Sequence, residues 1–182
     1  MRIFLAIDIP EKIRKEIFSL GLSFLDKNEN INAKPVEEKN LHLTLKFLGE
    51  VPDKEIDKIK ETLKKIKAKS FNASLGTLGL FPSESFVRVV WISLEPAKVL
   101  NELHLDIDSI LEKKGFKQEK NFKSHITIAR VKRIKNKEEL IKKLKSIKIK
   151  PSDFKISSFT LKKSILTSEG PVYENIAEFE LS

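Results

Sequence analysis

Two of this chain's three histidines stand in one repeated pattern, Leu41-His42-Leu43-Thr44-Leu45 and Ser124-His125-Ile126-Thr127-Ile128. The chain holds six Thr in 182 residues. Two of three histidines meeting a Thr at offset two would arise by chance about three times in a thousand. Both copies alternate apolar and polar residues, which reads as half-buried β-strand. Alternation sends the His and Thr of each copy to one face, roughly 7 Å apart, and the Leu or Ile residues to the other. The fold must therefore hold two equivalent strands, each burying one face and offering an imidazole and a hydroxyl on the other. Two such strands on one cleft supply an acid, a base and two hydroxyl donors, a set suited to chemistry at phosphate.

The flanking sequence repeats as well. A strand over 2–9 leads to Pro10, which suits a helix start, and to the stripe Ile13, Ile17, Leu20 and Phe24. The first His-x-Thr strand, 41–48, ends at Gly49. Pro52-Asp53 then opens a helix with Ile56, Ile59, Leu63 and Ile66 on one face. Strands over 71–80 and 86–94 flank a turn at Phe81-Pro82-Ser83. Pro96 opens a third helix, striped by Leu100, Leu103, Ile107 and Ile110 and ended by Gly115. The second His-x-Thr strand, 125–132, precedes a short helix around Leu140, Ile141 and Leu144. Strands over about 153–163 and 172–181 close the chain around the turn Ser168-Glu169-Gly170-Pro171.

The order strand, helix, His-x-Thr strand, helix, strands thus occurs twice. It predicts an α+β fold and a single bilobal domain over 1–182. Two antiparallel sheets with outer helices face each other across a cleft.

Composition narrows the function. No run of about 18 apolar residues is present, which argues against a membrane span. The opening Met1-Arg2-Ile3-Phe4-Leu5-Ala6-Ile7-Asp8 meets Asp8 and Pro10 too soon for a signal peptide. The chain has no Cys, which excludes disulfides and thiolate chemistry and fits a cytoplasmic protein. A net charge of +9 suits a polyanionic partner such as RNA, although most lysines stand among glutamates on helix surfaces. Lys and Ile are abundant while Gln and Met occur once each, a bias that fits a heat-adapted proteome. The sequence carries no oligomer signal, and a monomer without an obligate protein partner is expected.

These residues carry a family resemblance. Arg2-Ile3-Phe4-Leu5-Ala6-Ile7, His42-Leu43-Thr44-Leu45-Lys46-Phe47-Leu48-Gly49, Phe81-Pro82, Val89-Val90-Trp91 and His125-Ile126-Thr127-Ile128-Ala129-Arg130 take part in it. So do Leu161-Lys162-Lys163-Ser164-Ile165-Leu166 and Gly170-Pro171-Val172-Tyr173. Over nearly its whole length the chain resembles the RNA 2',3'-cyclic phosphodiesterases, or 2'-5' RNA ligases, of the two-histidine phosphoesterase superfamily. It departs from that pattern at Asn32-Ala33-Lys34-Pro35, where the family often has an aromatic or basic stretch.

The resemblance implies a pseudo-twofold axis relating the lobes and hydrolysis of RNA 2',3'-cyclic phosphate ends to 2'-phosphates. It implies His42 as proton donor to the departing 3'-oxygen and His125 as the base that activates water. Spacing alone cannot decide which histidine does which. Thr44 and Thr127 are expected to hold the phosphate. Strict alternation sends Arg130 to the opposite face. The resemblance makes it a phosphate or nucleotide contact, which requires a bulge or strand end to re-aim it. Phe81 is read as core packing, with stacking on a base as the alternative. His104, with no Thr two places on, is read as a packing or partly exposed residue.

Other readings stay open at this level. A 5'-hydroxyl in place of water would make ligation the same reaction reversed. The chain could be another phosphodiesterase of the superfamily, acting on cyclic nucleotides or tRNA-splicing products, or a non-catalytic single-stranded RNA binder. A metal centre could join both histidines to a carboxylate such as Glu50. Neither copy has a second ligand at metal-like spacing, so no metal and no cofactor are expected.

Overall fold

The computed structural model describes residues 1–26, 28–150, 152–168 and 170–182. Its elements are β1 (Arg2–Asp8), α1 (Glu11–Asp26), β2 (Ile31–Pro35), β3 (His42–Glu50), α2 (Ile56–Leu63), β4 (Phe71–Pro82) and β5 (Val87–Glu95). They continue with α3 (Ala97–Glu112), β6 (His125–Ile134), α4 (Lys137–Ser146), β7 (Asp153–Ile156), β8 (Ser158–Leu166) and β9 (Pro171–Glu180). The helices bury the stripes that the sequence shows. Ile13, Ile17 and Phe24 of α1 and Leu100, Leu103 and Ile107 of α3 are in the core. Asn136 caps α4 by accepting a bond of 3.1 Å from the Glu139 amide. No helix among the described residues is long and apolar enough to cross a membrane.

Every described strand pair is antiparallel, and the architecture is the expected α+β one. One lobe is the sheet β3-β1-β8-β9; the other is β7-β4-β5-β6, with β2 on the outer edge of β6. The two sheets also meet edge to edge, through the single pair Leu43–Ile126 of β3 and β6, and so form one curled sheet.

Each lobe takes strands from both halves of the chain. The first half places β1 and β3 in one lobe and sends β4 to the other, where it pairs with β5 and β7. The second half places β6 and β7 there and sends β8 and β9 back to pair beside β1.

Three sequence-based expectations change. The strand expected over 153–163 is two strands, β7 and β8, in different lobes, because the chain crosses between them at Ser157. Phe81-Pro82 ends β4 rather than forming the turn, which lies at 83–86. Strand β2 was not anticipated: Asn32, Lys34 and Pro35 carry no strand pattern, and the open edge of β6 imposes the extended form. The expected turn over 168–171 lies partly outside the described residues, at Glu169.

Candidate active site

Among the described residues, the one ladder pair that joins the lobes lies inside the two motifs. Leu43 opposes Ile126, so the antiparallel register sets His42 across from Thr127 and Thr44 across from His125. The local twofold axis passes through the Leu43–Ile126 pair. Both apolar partners are fully buried, and the four polar side chains lie on the opposite, cleft face. Diagonal neighbours in such a ladder have Cβ atoms on the order of 7–8 Å apart, a spacing at which two imidazoles can flank one phosphate.

A β-bulge follows each motif at the same offset. In the β1–β3 ladder, Ala6 pairs with Thr44 but Leu5 with Lys46. In the β5–β6 ladder, Trp91 pairs with Thr127 but Val90 with Ala129. The extra residues, Leu45 and Ile128, shift the side-chain alternation by one. The fifth residue after each histidine then turns into the cleft: Phe47 in one copy and Arg130 in the other. The bulge required to re-aim Arg130 is therefore present. Phe47, 64% exposed, was missed, because a bulge leaves no mark in the apolar pattern.

The same bulge turns Lys46 inward. Its side chain is 2% exposed, and the ammonium pairs with the Asp108 carboxylate of α3 and donates to the Lys117 carbonyl at 2.7 Å. Asp108 also accepts from the Glu119 amide at 3.0 Å. His104 is fully buried, with Nδ1 2.8 Å from the Leu45 carbonyl and its ring stacked on Phe122 at 4.1 Å. It packs, as expected. This polar clasp ties β3 to the segment that leads into His125.

Both catalytic candidates are held alike. His42 Nδ1 donates to the carbonyl of Asn40 and His125 Nδ1 to that of Lys123, each at 2.7 Å and two residues upstream. A carbonyl only accepts, so each Nδ1 carries the proton and each Nε2 is turned to the cleft. His42 Nε2 accepts from the Thr44 hydroxyl at 3.1 Å. Burial pushes His42 down to about 4, with Lys162 adding to the effect, while the Asn40 carbonyl and Asp8 oppose it. Burial also lowers His125, again against its carbonyl partner, and the Lys123 ammonium lowers it further.

The cavity over these groups has a volume of about 480 Å³. It belongs mainly to the His42 lobe, with Arg2 and Phe4 of β1, Phe47 of β3, Ser164 and Leu166 of β8 and Tyr173 of β9. Phe4 and Tyr173 each pack 5.1 Å from the His42 ring. Asn40, besides holding His42, donates to the Pro171 carbonyl at 3.1 Å and so anchors the start of β9 near the cleft. From the other lobe, His125, Thr127 and Arg130 reach the same cavity. The candidate metal ligand Glu50 lies at the end of β3, 3.8 Å from the Met1 ammonium. Among the described residues no three His, Cys, Asp or Glu side chains are grouped to hold a metal ion.

The sequence pattern of the LigT-like phosphoesterases matches the chain twice, over 7–91 and 92–173. The chain belongs to the LigT-like phosphoesterase family. Among its relatives, the RNA 2',3'-cyclic phosphodiesterase of Methanocaldococcus jannaschii is 39% identical over 98% of this chain and 100% of that protein. That of Archaeoglobus fulgidus is 37% identical over 99% and 100%. The crystal structure of E. coli LigT complexed with 3'-AMP superposes with a TM-score of 0.78 at 26% identity, covering 100% of this chain and 98% of that one. The crystal structure of a Thermus thermophilus protein reaches 0.80 at 28%, with the same coverage. The two matches to this phosphoesterase pattern meet within β5, so the duplication expected from the His-x-Thr repeat spans the chain.

Proposed function

We propose that this phosphoesterase opens RNA 2',3'-cyclic phosphate ends to 2'-phosphates, with His42 as acid and His125 as base. The observation that carries the reading is the paired geometry: two imidazoles about one local axis, each with Nδ1 fixed by a backbone carbonyl and Nε2 on the cleft side. The names of the relatives support the RNA substrate. The lopsided cavity supports the roles. A nucleoside fits among Phe4, Phe47 and Tyr173, beside His42, so the ribose oxygen that leaves is nearer His42. Water then attacks from the His125 side, in line with that oxygen.

In this scheme water forms the new P–O bond and gives a proton to His125 Nε2. The P–O3' bond breaks, O3' takes a proton from His42 Nε2, and the phosphate stays on O2'. Thr44, Thr127 and Arg130 donate to the non-bridging oxygens, where charge gathers. An RNA 5'-hydroxyl in place of water gives a 2'-5' linkage by the same steps. The chain acts as one bilobal domain, a reading supported by the exchanged strands.

RNA ending in a 2',3'-cyclic phosphate tests this. The expected product is a 2'-phosphate, formed at the same rate with or without a chelator. A 3'-phosphate product overturns the donor assignment. Tight RNA binding without turnover supports the non-catalytic reading instead.

The lowered histidines predict a pH signature. In the free enzyme both groups lose their protons below the ordinary range near 6.5. The form with one shared proton is therefore most populated on the acid side, and kcat/KM should peak below pH 6.5. A bound phosphate anion favours imidazolium and raises both groups, so kcat should peak at a higher pH. The limbs belong to the pair rather than to either residue. Coincident maxima at or above pH 7 would contradict this account.

A further inference from the structure

His125 also has aromatic neighbours outside the lining of the cleft cavity. The Phe81 ring stands edge-on to His125 at 4.8 Å and stacks on Trp91 at 4.9 Å. Trp91 is buried and lies across Gly79, where any Cβ would overlap the indole. The exposed Lys123 places its ammonium 4.2 Å from the Trp91 ring and 5.8 Å from the Phe81 ring. Neither Phe81 nor Lys123 lines the 480 Å³ cavity. A half-buried aromatic ring and a cation thus stand beside the proposed base, which in the proposed scheme receives the attacking group.

Water needs no such surface. A nucleoside does: its base stacks on an aromatic ring, and the phosphate that follows it attracts an ammonium. We infer that Phe81, backed by Trp91, and Lys123 form a subsite for the 5'-terminal nucleoside of a second RNA strand, and so select a 5'-hydroxyl over water as nucleophile. The inference rests on His125 being the base. In the step itself the 5'-oxygen forms a bond to phosphorus and its proton passes to His125 Nε2. The P–O3' bond breaks and O3' takes the proton of His42. The product is a 2'-5' phosphodiester and no other reactant is consumed.

The test is a partition within one reaction. The protein is incubated with an RNA bearing a 2',3'-cyclic phosphate and with a second RNA bearing a 5'-hydroxyl. The ratio of joined product to hydrolysed product is then measured. Glycerol replaces the second RNA in a parallel series. Both nucleophiles use His42 and His125, so damage to the histidines cancels in each ratio. Phe81→Ala and Lys123→Gln should each lower the RNA ratio by about tenfold and leave the glycerol ratio within twofold of the original protein's. Equal changes in both ratios, or none, overturn the subsite, as does a wild-type protein that hydrolyses the cyclic end but joins no RNA. Failure to hydrolyse the cyclic end at all overturns the underlying function instead.

Discussion

Replacing His42 or His125 by Ala is expected to slow cyclic-phosphate opening by at least about 10²-fold each, the scale of general acid–base catalysis. The double replacement should cost far less than the product of the two losses, because in the proposed scheme acid and base serve one displacement. The two single variants differ in what rescues them. Without His42 the departing oxygen leaves unprotonated, so a substrate with a more acidic leaving group restores much of the rate. Without His125 the same substrate helps little, because activation of water is what is missing. Rates of the four proteins on a poor and a good leaving group decide the matter. Rescue of His125→Ala in preference to His42→Ala would exchange the two roles. Thr44→Ala and Thr127→Ala should lose less, about 1–3 kcal/mol of barrier, the scale of a hydrogen bond to a charged group.

The second large effect concerns stability. Asp108→Ala leaves the Lys46 ammonium buried without its counter-charge, which should cost about 3–5 kcal/mol. For a chain of this size that lowers the melting temperature by on the order of 10 °C. The double variant Lys46→Met, Asp108→Leu removes the charge as well and should recover at least half of the loss. The Lys117 carbonyl and Glu119 amide lose their partners in the double variant, which keeps recovery from being complete. Thermal or denaturant unfolding of the three proteins is the measurement. A single variant as stable as the original, or a double variant worse than the single, would mean that the pair is not what holds this clasp.

Most of the cleft face is legible in the sequence because a strand's alternation is local. His42, Thr44, His125 and Thr127 stand in runs where every second residue is apolar, and the structure places all four on the cleft face. Arg130 and Phe47 defeat the same logic, since one inserted residue in the ladder reverses their side and depends on pairing with a distant strand. Tyr173 and Asn40 were also missed. The first reaches His42 only because β9 lies two strands away from β1, and the second holds His42 through a backbone carbonyl that any residue offers, while its side chain bonds Pro171, far away in sequence. Helix stripes were read well because each needs only its own sequence to declare a face. The split of 153–163 was not legible, because nothing in the residues around Ser157 says that the two strands join different lobes.

The strand exchange limits what one repeat could do alone. A chain with a single copy would project its last hairpin, whose strands pair with each other, beyond its own sheet, so it could complete two lobes only by lending that hairpin to a second molecule. Such a pair of identical chains would have two identical halves around its axis. A cyclic phosphate is not symmetric: a nucleoside hangs from one side of phosphorus and the nucleophile comes from the other. Fusing the copies into one polypeptide lets the halves differ, with Phe4, Phe47 and Tyr173 around one imidazole and Phe81, Trp91 and Lys123 around the other. Covalent linkage thus breaks the degeneracy of two equal imidazoles and gives the reaction a direction in space.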